Sequence, residues 1–255
     1  MKTSWLLSVL LSALLFPGAL SAQENPLPDI KAVTQNLDDL FRSKASHGEL
    51  KMDIVTANWS RTLEMEMWTK GEDFALIVIR SPAKEAGTAT LRTDEGLWNY
   101  APRADRMMRV PTGMLSDGWM GSHFTNDDMM RESSWEDDYD TVLSWEKEGD
   151  TTYLVATSTP KPDAPVVYTK VVQWMTEKDW IPVRAMYYDG EELVRTMTFD
   201  DIKEMGGRRI PTLMSIIPAD APDEKTQFSY VTIEFDIALD DDLFTARGLR
   251  KAAQK

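Results

Sequence analysis

The 255-residue sequence contains no cysteine. That excludes disulfides, thiolate metal sites and a cysteine nucleophile, and it removes the lipid-attachment residue of a bacterial lipoprotein. Histidine is scarce too, with His47 and His123 serving the whole chain. A serine-hydrolase triad would have to use one of these two, and no G-x-S-x-G turn presents a nucleophile to either. His123 follows Ser122 directly, and neighbours on a chain seldom face each other usefully, so His123 reads as a loop histidine. H-E-x-x-H, phosphate-loop and dinucleotide fingerprints are missing. No catalytic residue, metal site or cofactor is expected.

Long hydrophobic runs are also lacking. The apolar stretch from Trp5 to Phe16 falls well short of the ~20 residues that a helix needs to span a bilayer. It follows Lys2 and precedes Pro17, Gly18 and the small residues Ala19, Ser21 and Ala22. That order reads as a secretory signal peptide over residues 1–22, cleaved after Ala22 with Ser21 as the rival point; a membrane anchor is the competing reading, disfavoured by length. The expected mature chain, residues 23–255, is one domain with no stable membrane anchor. Export without disulfides fits a bacterial periplasm. Positive charge is in deficit: 28 Lys and Arg stand against 42 Asp and Glu, a net −14. Such a surface repels nucleic acid and anionic head groups, so nucleic-acid binding is excluded.

The pattern begins with one amphipathic helix. Ile30, Val33, Leu37, Leu40 and Phe41 recur at helical spacing, which predicts a helix over 30–45 ended near Gly48. After that the period shortens to two. Leu63, Met65 and Met67 alternate with Glu64 and Glu66, whereas Phe74 to Ile79 is apolar on both faces and should lie mid-sheet, covered on each side. Further strands are predicted at 50–57, 87–93, 96–100, 106–110, 141–148, 151–158, 166–176, 181–189, 192–203, 208–217 and 225–235. Asp189-Gly190 and Gly206-Gly207 mark tight hairpins, which leave no room for parallel crossovers.

Residues 111–135 break this rhythm. They carry Gly113, Gly118 and Gly121 together with Met114, Leu115, Trp119, Met120, Phe124, Met129 and Met130. A connection this long and apolar is functional or folds as local helix. Asp127 and Asp128 are placed to start a helix. The acidic group at Glu136–Asp140 lacks the spacing of a calcium loop and reads as a solvated face. Fifteen methionines and nine tryptophans are the oddity of the composition, and suit an adaptable apolar surface.

Two stretches carry a resemblance. One is Leu97-Trp98-Asn99-Tyr100-Ala101-Pro102, with Arg109-Val110-Pro111 and then Trp119 through Asp128. The other runs from Trp180-Ile181-Pro182-Val183 through Tyr188-Asp189-Gly190 and Arg209-Ile210-Pro211-Thr212 to Leu239–Thr245. Together they resemble the outer-membrane lipoprotein-sorting (LolA-like) proteins, in the branch associated with RND/MMPL-type transporters. An acidic residue is expected after Gly121-Ser122, where this chain has His123. The resemblance implies a mainly β fold, in which a strongly curved antiparallel sheet forms an unclosed half-barrel. An N-terminal helix and a helical or loop lid would cover its concave face. It further implies a periplasmic carrier or chaperone, monomeric, that shields a lipid or a lipid-modified protein beside an inner-membrane RND/MMPL-type transporter. A non-transporting sensor or accessory subunit of that transporter is the alternative. Trp98, Met114, Trp119, Met120, Phe124, Met129 and Met130 are the expected groove or lid contacts.

Overall fold

Turns built around glycine, such as those at Gly71, Gly149 and Gly190, fold the chain back on itself between successive strands. At Gly206-Gly207 both residues have positive φ, +60° and +78°, the geometry of a two-residue hairpin turn that only glycine adopts without strain. Repetition of such turns builds a meander. The computed structural model describes residues 25–41, 43–130, 135–164 and 166–254, with the backbone alone at Met130 and Asp137. The expected signal peptide, residues 1–22, lies outside the described residues.

Among the described residues thirteen strands make one sheet. They are β1 (Ala45–Val55), β2 (Ser60–Lys70), β3 (Phe74–Ser81), β4 (Ala89–Thr93), β5 (Gly96–Ala101), β6 (Arg106–Arg109) and β7 (Tyr139–Glu148). After them come β8 (Thr151–Pro160), β9 (Lys170–Thr176), β10 (Pro182–Asp189), β11 (Glu192–Met205), β12 (Arg208–Pro218) and β13 (Lys225–Phe235). The order is β6-β5-β4-β3-β2-β1-β13-β12-β11-β10-β9-β8-β7, and the two ends do not pair with each other. Every pairing is antiparallel. This is the mainly β, unclosed sheet that the resemblance implied.

The sheet curls. Side chains of β4 and β12 line one cavity of about 190 Å³, although five strand steps separate them. In a flat sheet that interval would be ~24 Å. The concave face holds the main core, in which Leu50, Met52, Ile54, Leu63, Met65, Ile77, Ile79, Ala185, Met197, Ile216 and Phe228 are buried.

Among the described residues four α-helices accompany the sheet: α1 (Ile30–Asp39), α2 (Asn126–Met130), α3 (Trp135–Asp138) and α4 (Ala246–Ala253). Asp29 caps α1 by accepting from the Ala32 amide at 3.0 Å. Val33 and Leu37 of α1 pack on Leu143, Leu154, Ala156 and Met175. Through the register these residues share the concave face with Ala185. The helix is shorter than the sequence predicts. Residues 46–50 pair with both β2 and β13 instead of continuing it. Gly48 is therefore no helix stop; it sits mid-strand, where a Cβ would come within 2.8 Å of the Thr232 carbonyl oxygen. The strand expected at 166–176 begins only at Lys170.

The expectation that 74–79 is covered on both faces holds. Ile77 and Ile79 face the concave core, while Leu76 and Val78 pack under Phe244, Leu249 and Ala252 on the convex side. The C-terminal helix that supplies this outer cover was not anticipated. Two polar ties fix it: Arg80 Nη1 donates to the Ala252 carbonyl at 2.8 Å, and Arg250 Nε donates to Asp105 Oδ1 at 2.8 Å. Leu249 is fully buried beneath it. Leu249→Ala is expected to cost about 2–5 kcal/mol. Urea unfolding would check this, and a loss below 1 kcal/mol would show that α4 lends the sheet little.

Candidate functional site

The two edge strands, β6 and β7, are consecutive in the chain. Twelve strand steps separate them in the sheet. The connection between them must therefore travel from one edge to the other, and its described residues 119–129 lie across the concave face. Trp119 and Phe124 are buried in the concave core, at 1% and 8% exposure, with Met120 and Met129 packed beside them.

A buried crossing needs its polar groups satisfied. Much of that is internal. Asn126 Nδ2 donates to the Met114 and Asp117 carbonyls at 2.9 and 3.2 Å, and the Asp127 amide donates to the Leu115 carbonyl at 2.8 Å. Four contacts then fasten the segment to the sheet. Trp119 Nε1 donates to Thr90 Oγ1 at 3.0 Å. Arg61 donates to the Met120 carbonyl. That carbonyl belongs to a residue at φ +52°, a conformation that costs energy outside glycine.

His123 supplies the third contact. Its backbone amide donates to Thr226 Oγ1 at 3.0 Å, its Nδ1 lies 2.9 Å from the same hydroxyl, and its Nε2 lies 3.1 Å from Glu224 Oε2. A neutral imidazole protonated on Nε2 satisfies all three: Thr226 accepts from the amide and donates to Nδ1, and Nε2–H donates to Glu224. The Ala57 amide and His123 hold the Glu224 carboxyl below its ordinary range. Thr226 is fully buried, so this Thr–His–Glu array offers no accessible nucleophile.

The fourth contact is the strongest. Arg195 of β11 meets Asp128 of α2 in a two-pronged pair, Nη1 to Oδ2 and Nη2 to Oδ1, both 2.7 Å. The guanidinium packs against both Tyr168 and Tyr187, 4.7 and 4.5 Å from their ring centroids, and the two rings touch each other with centroids 4.9 Å apart. Asp128 Oδ2 also accepts from the Thr125 amide at 2.7 Å, while Thr125 Oγ1 accepts from the Asp128 amide at 3.0 Å. So Asp128 does start a helix, as its position suggested, but its larger role is to anchor that helix to the sheet. Burial pushes the Asp128 carboxyl up, yet Arg195 and Thr125 outweigh it and hold the group below its usual value of 3.8. Burial likewise pulls Arg195 down, and Asp128 more than reverses this.

Around the crossing segment the concave face leaves two cavities. One, of about 230 Å³, is lined by Phe124, Asp128, Met129, Tyr168, Tyr187 and Arg195, with Trp135, Tyr139 and Val166 among the rest. The other, of about 190 Å³, is lined by Met67, Ile77, Arg92, Met214, Phe228 and Tyr230, and again by Phe124, Asp128 and Met129. Apolar and aromatic walls with a few placed polar groups are the usual make-up of a site for a greasy ligand.

The residues anticipated from sequence divide. Trp119, Met120, Phe124 and Met129 are brought together on the concave face. Met114 is 48% exposed and joins them only through its carbonyl. Trp98 is not brought to them, because its parity in β5 turns it to the convex side, against the cluster beneath α4. The Met130 side chain lies outside the described residues. Sequence reasoning missed Arg195, Tyr168, Tyr187 and the sheet residues Met67, Met214, Phe228 and Tyr230. A signal for Arg195 existed, since it alternates with Met197 and Phe199 on the inward face of one strand. A charge in that series demands a buried partner.

A family model with the description "-like: Uncharacterized protein" matches residues 71–251. The chain belongs to that family. No curated protein matches it. Among solved structures, a DUF1329 family protein from Desulfovibrio piger is 24% identical with a TM-score of 0.76, over 86% of this chain and 98% of that one. A domain from Vibrio parahaemolyticus, described as an outer membrane lipoprotein-sorting protein domain, is 21% identical with a TM-score of 0.74, over 86% and 97%. A LolA superfamily protein from Nitrosomonas europaea is 22% identical with a TM-score of 0.70, over 84% and 96%. The fold is LolA-like. Among the described residues, no helix is long and apolar enough to cross a membrane.

Removing one partner of a buried ion pair strands the other. Asp128→Ala is expected to lose about 3–5 kcal/mol in chemical denaturation. The double variant Asp128→Ala/Arg195→Met should recover most of that loss, and no recovery would mean that the pair is not the anchor. Because the folded-state value of Asp128 is depressed, its contribution is present above pH 3.8 and is lost as pH falls through the lower folded value. Trp119 fluorescence should therefore respond to that carboxyl only in strong acid.

Proposed function

We propose that this protein is a periplasmic carrier that shields the acyl portion of a lipid or a lipid-modified protein within the concave face of its sheet. The two adjoining cavities under the crossing segment carry this reading. Their walls are mainly aliphatic, aromatic and methionine side chains, with Asp128, Arg195 and Arg92 among them, and apolar burial, ~0.8 kcal/mol per methylene, can retain a chain. The LolA-like fold supports it, as does the lipoprotein-sorting description of the Vibrio parahaemolyticus relative. Residues 1–22 would direct export and be removed near Ala22, leaving one domain over 23–255. Trp119, Met120, Phe124 and Met129 would form the cover, with Met114 at its margin. An inner-membrane RND/MMPL-type transporter would supply or receive the cargo. The protein itself would perform no catalysis.

One observation favours a second reading, a sensor or accessory subunit that binds lipid without shuttling it. The crossing segment is fastened at Thr90, Arg61, Thr226 with Glu224, and Arg195. A cover so held suits a slow exchange better than a rapid one.

Native mass spectrometry of protein drawn gently from the periplasm tests the carrier reading. A mass lacking residues 1–22 with an adduct of lipid size is expected, and Met67→Glu, which puts a charge into the cavity wall, should abolish the adduct in a folded protein. A protein that stays lipid-free after incubation with phospholipid vesicles would overturn the carrier reading.

A further inference from the structure

The two cavities are separated by a thin wall. Phe124, Asp128 and Met129 line both of them, so the residues that close one chamber also close the other. These three differ in how firmly they are held. Phe124 is buried and tilts against Phe228, with ring centroids 5.6 Å apart. Asp128 is gripped by Arg195 through two hydrogen bonds of 2.7 Å. Met129 is partly buried and packs against the concave core through an unbranched side chain.

We infer that the groove takes a single unbranched acyl chain, and that Met129 is the specificity-determining residue that sets how much of that chain is buried. The inference rests on the carrier reading above and names the cargo class of the same site. Volume is the argument. A methylene takes about the space of one water in the liquid, ~30 Å³. On that scale the chamber of about 190 Å³ accepts roughly six methylenes and that of about 230 Å³ roughly eight. With the Met129 side chain removed the chambers join, and roughly fourteen methylenes fit in a continuous path past Phe124. A cargo with three sixteen-carbon chains would need on the order of 1,400 Å³, far beyond both together. One chain, with roughly eight methylenes inside one chamber, is what the concave face can hold while Met129 stands between them.

The test is a chain-length series. Saturated fatty acids of six to sixteen carbons displace N-phenyl-1-naphthylamine from the mature wild-type protein, from Met129→Ala and from Met129→Leu, each first shown to be folded by circular dichroism. Affinity should rise about fourfold per added methylene until the chamber is full, and then level off. Wild type and Met129→Leu are expected to level off near eight carbons, and Met129→Ala near fourteen. Adding Ala75→Phe, which fills the smaller chamber, should return the Met129→Ala plateau to shorter chains. A plateau that ignores residue 129, or a wild-type affinity that climbs through sixteen carbons, would overturn the inference while leaving the carrier reading standing. Failure of every chain length to displace the probe from every variant would instead overturn the carrier reading, and this inference with it.

Discussion

An antiparallel sheet that curls without closing must bury its concave face against something other than itself. Here that requirement meets a second one: the two strands at the free edges, β6 and β7, are neighbours in sequence. Their connection has one short way home, across the hollow. The chain thereby solves two problems with one segment, covering the apolar inner face and joining the edges. Everything distinctive about the site follows from that route. The buried tryptophan, the capped helix, the ion pair and the two chambers all belong to the crossing or to what it touches.

Such a crossing succeeds only if its backbone finds partners out of water. Residues 114–128 do this mainly among themselves, through Asn126 and the turns around Trp119. The ties to the sheet are polar and come from separate directions: Arg61 from β2, Thr90 from β4, Thr226 from β13 and Arg195 from β11. Each neutral hydrogen bond contributes only about 1 kcal/mol, and the charged pair somewhat more. Their distribution matters more than their sum. Fastened on several sides, the segment cannot slide along the groove, so the spaces it leaves keep their shape.

The sequence was most legible where local chemistry decides the outcome. Period-two alternation and paired glycines placed nearly every strand, and the doubly apolar run at 74–79 foretold covers on both sides. Legibility failed where distant parity decides. Trp98 was grouped with Trp119 because both are aromatic and lie near each other along the chain, yet the register of β5 turns Trp98 to the convex face. Gly48 looked like a helix stop because it follows a helical pattern. Its real constraint comes from Thr232, far along the chain, whose carbonyl leaves no room for a side chain. Arg195 was readable only as an anomaly in an inward-facing series, and its partner Asp128 already had a sufficient local explanation as a helix-start residue.

Methionine gives the two chambers their character. Of the fifteen in the chain, Met52, Met65, Met67, Met120, Met129, Met197 and Met214 all belong to the concave cluster. A core built for stability alone would favour branched aliphatics, whose few rotamers specify one packing, over a side chain that fills irregular gaps by bending. It would also leave little unfilled volume, since cavities in a core cost stability roughly in proportion to their size. The inner face departs from this in part: methionines stand among branched residues such as Leu50, Ile54 and Ile79, and unfilled volume remains beside the crossing segment. Unfilled volume walled by adjustable side chains is what the proposed carrier role would require of this face.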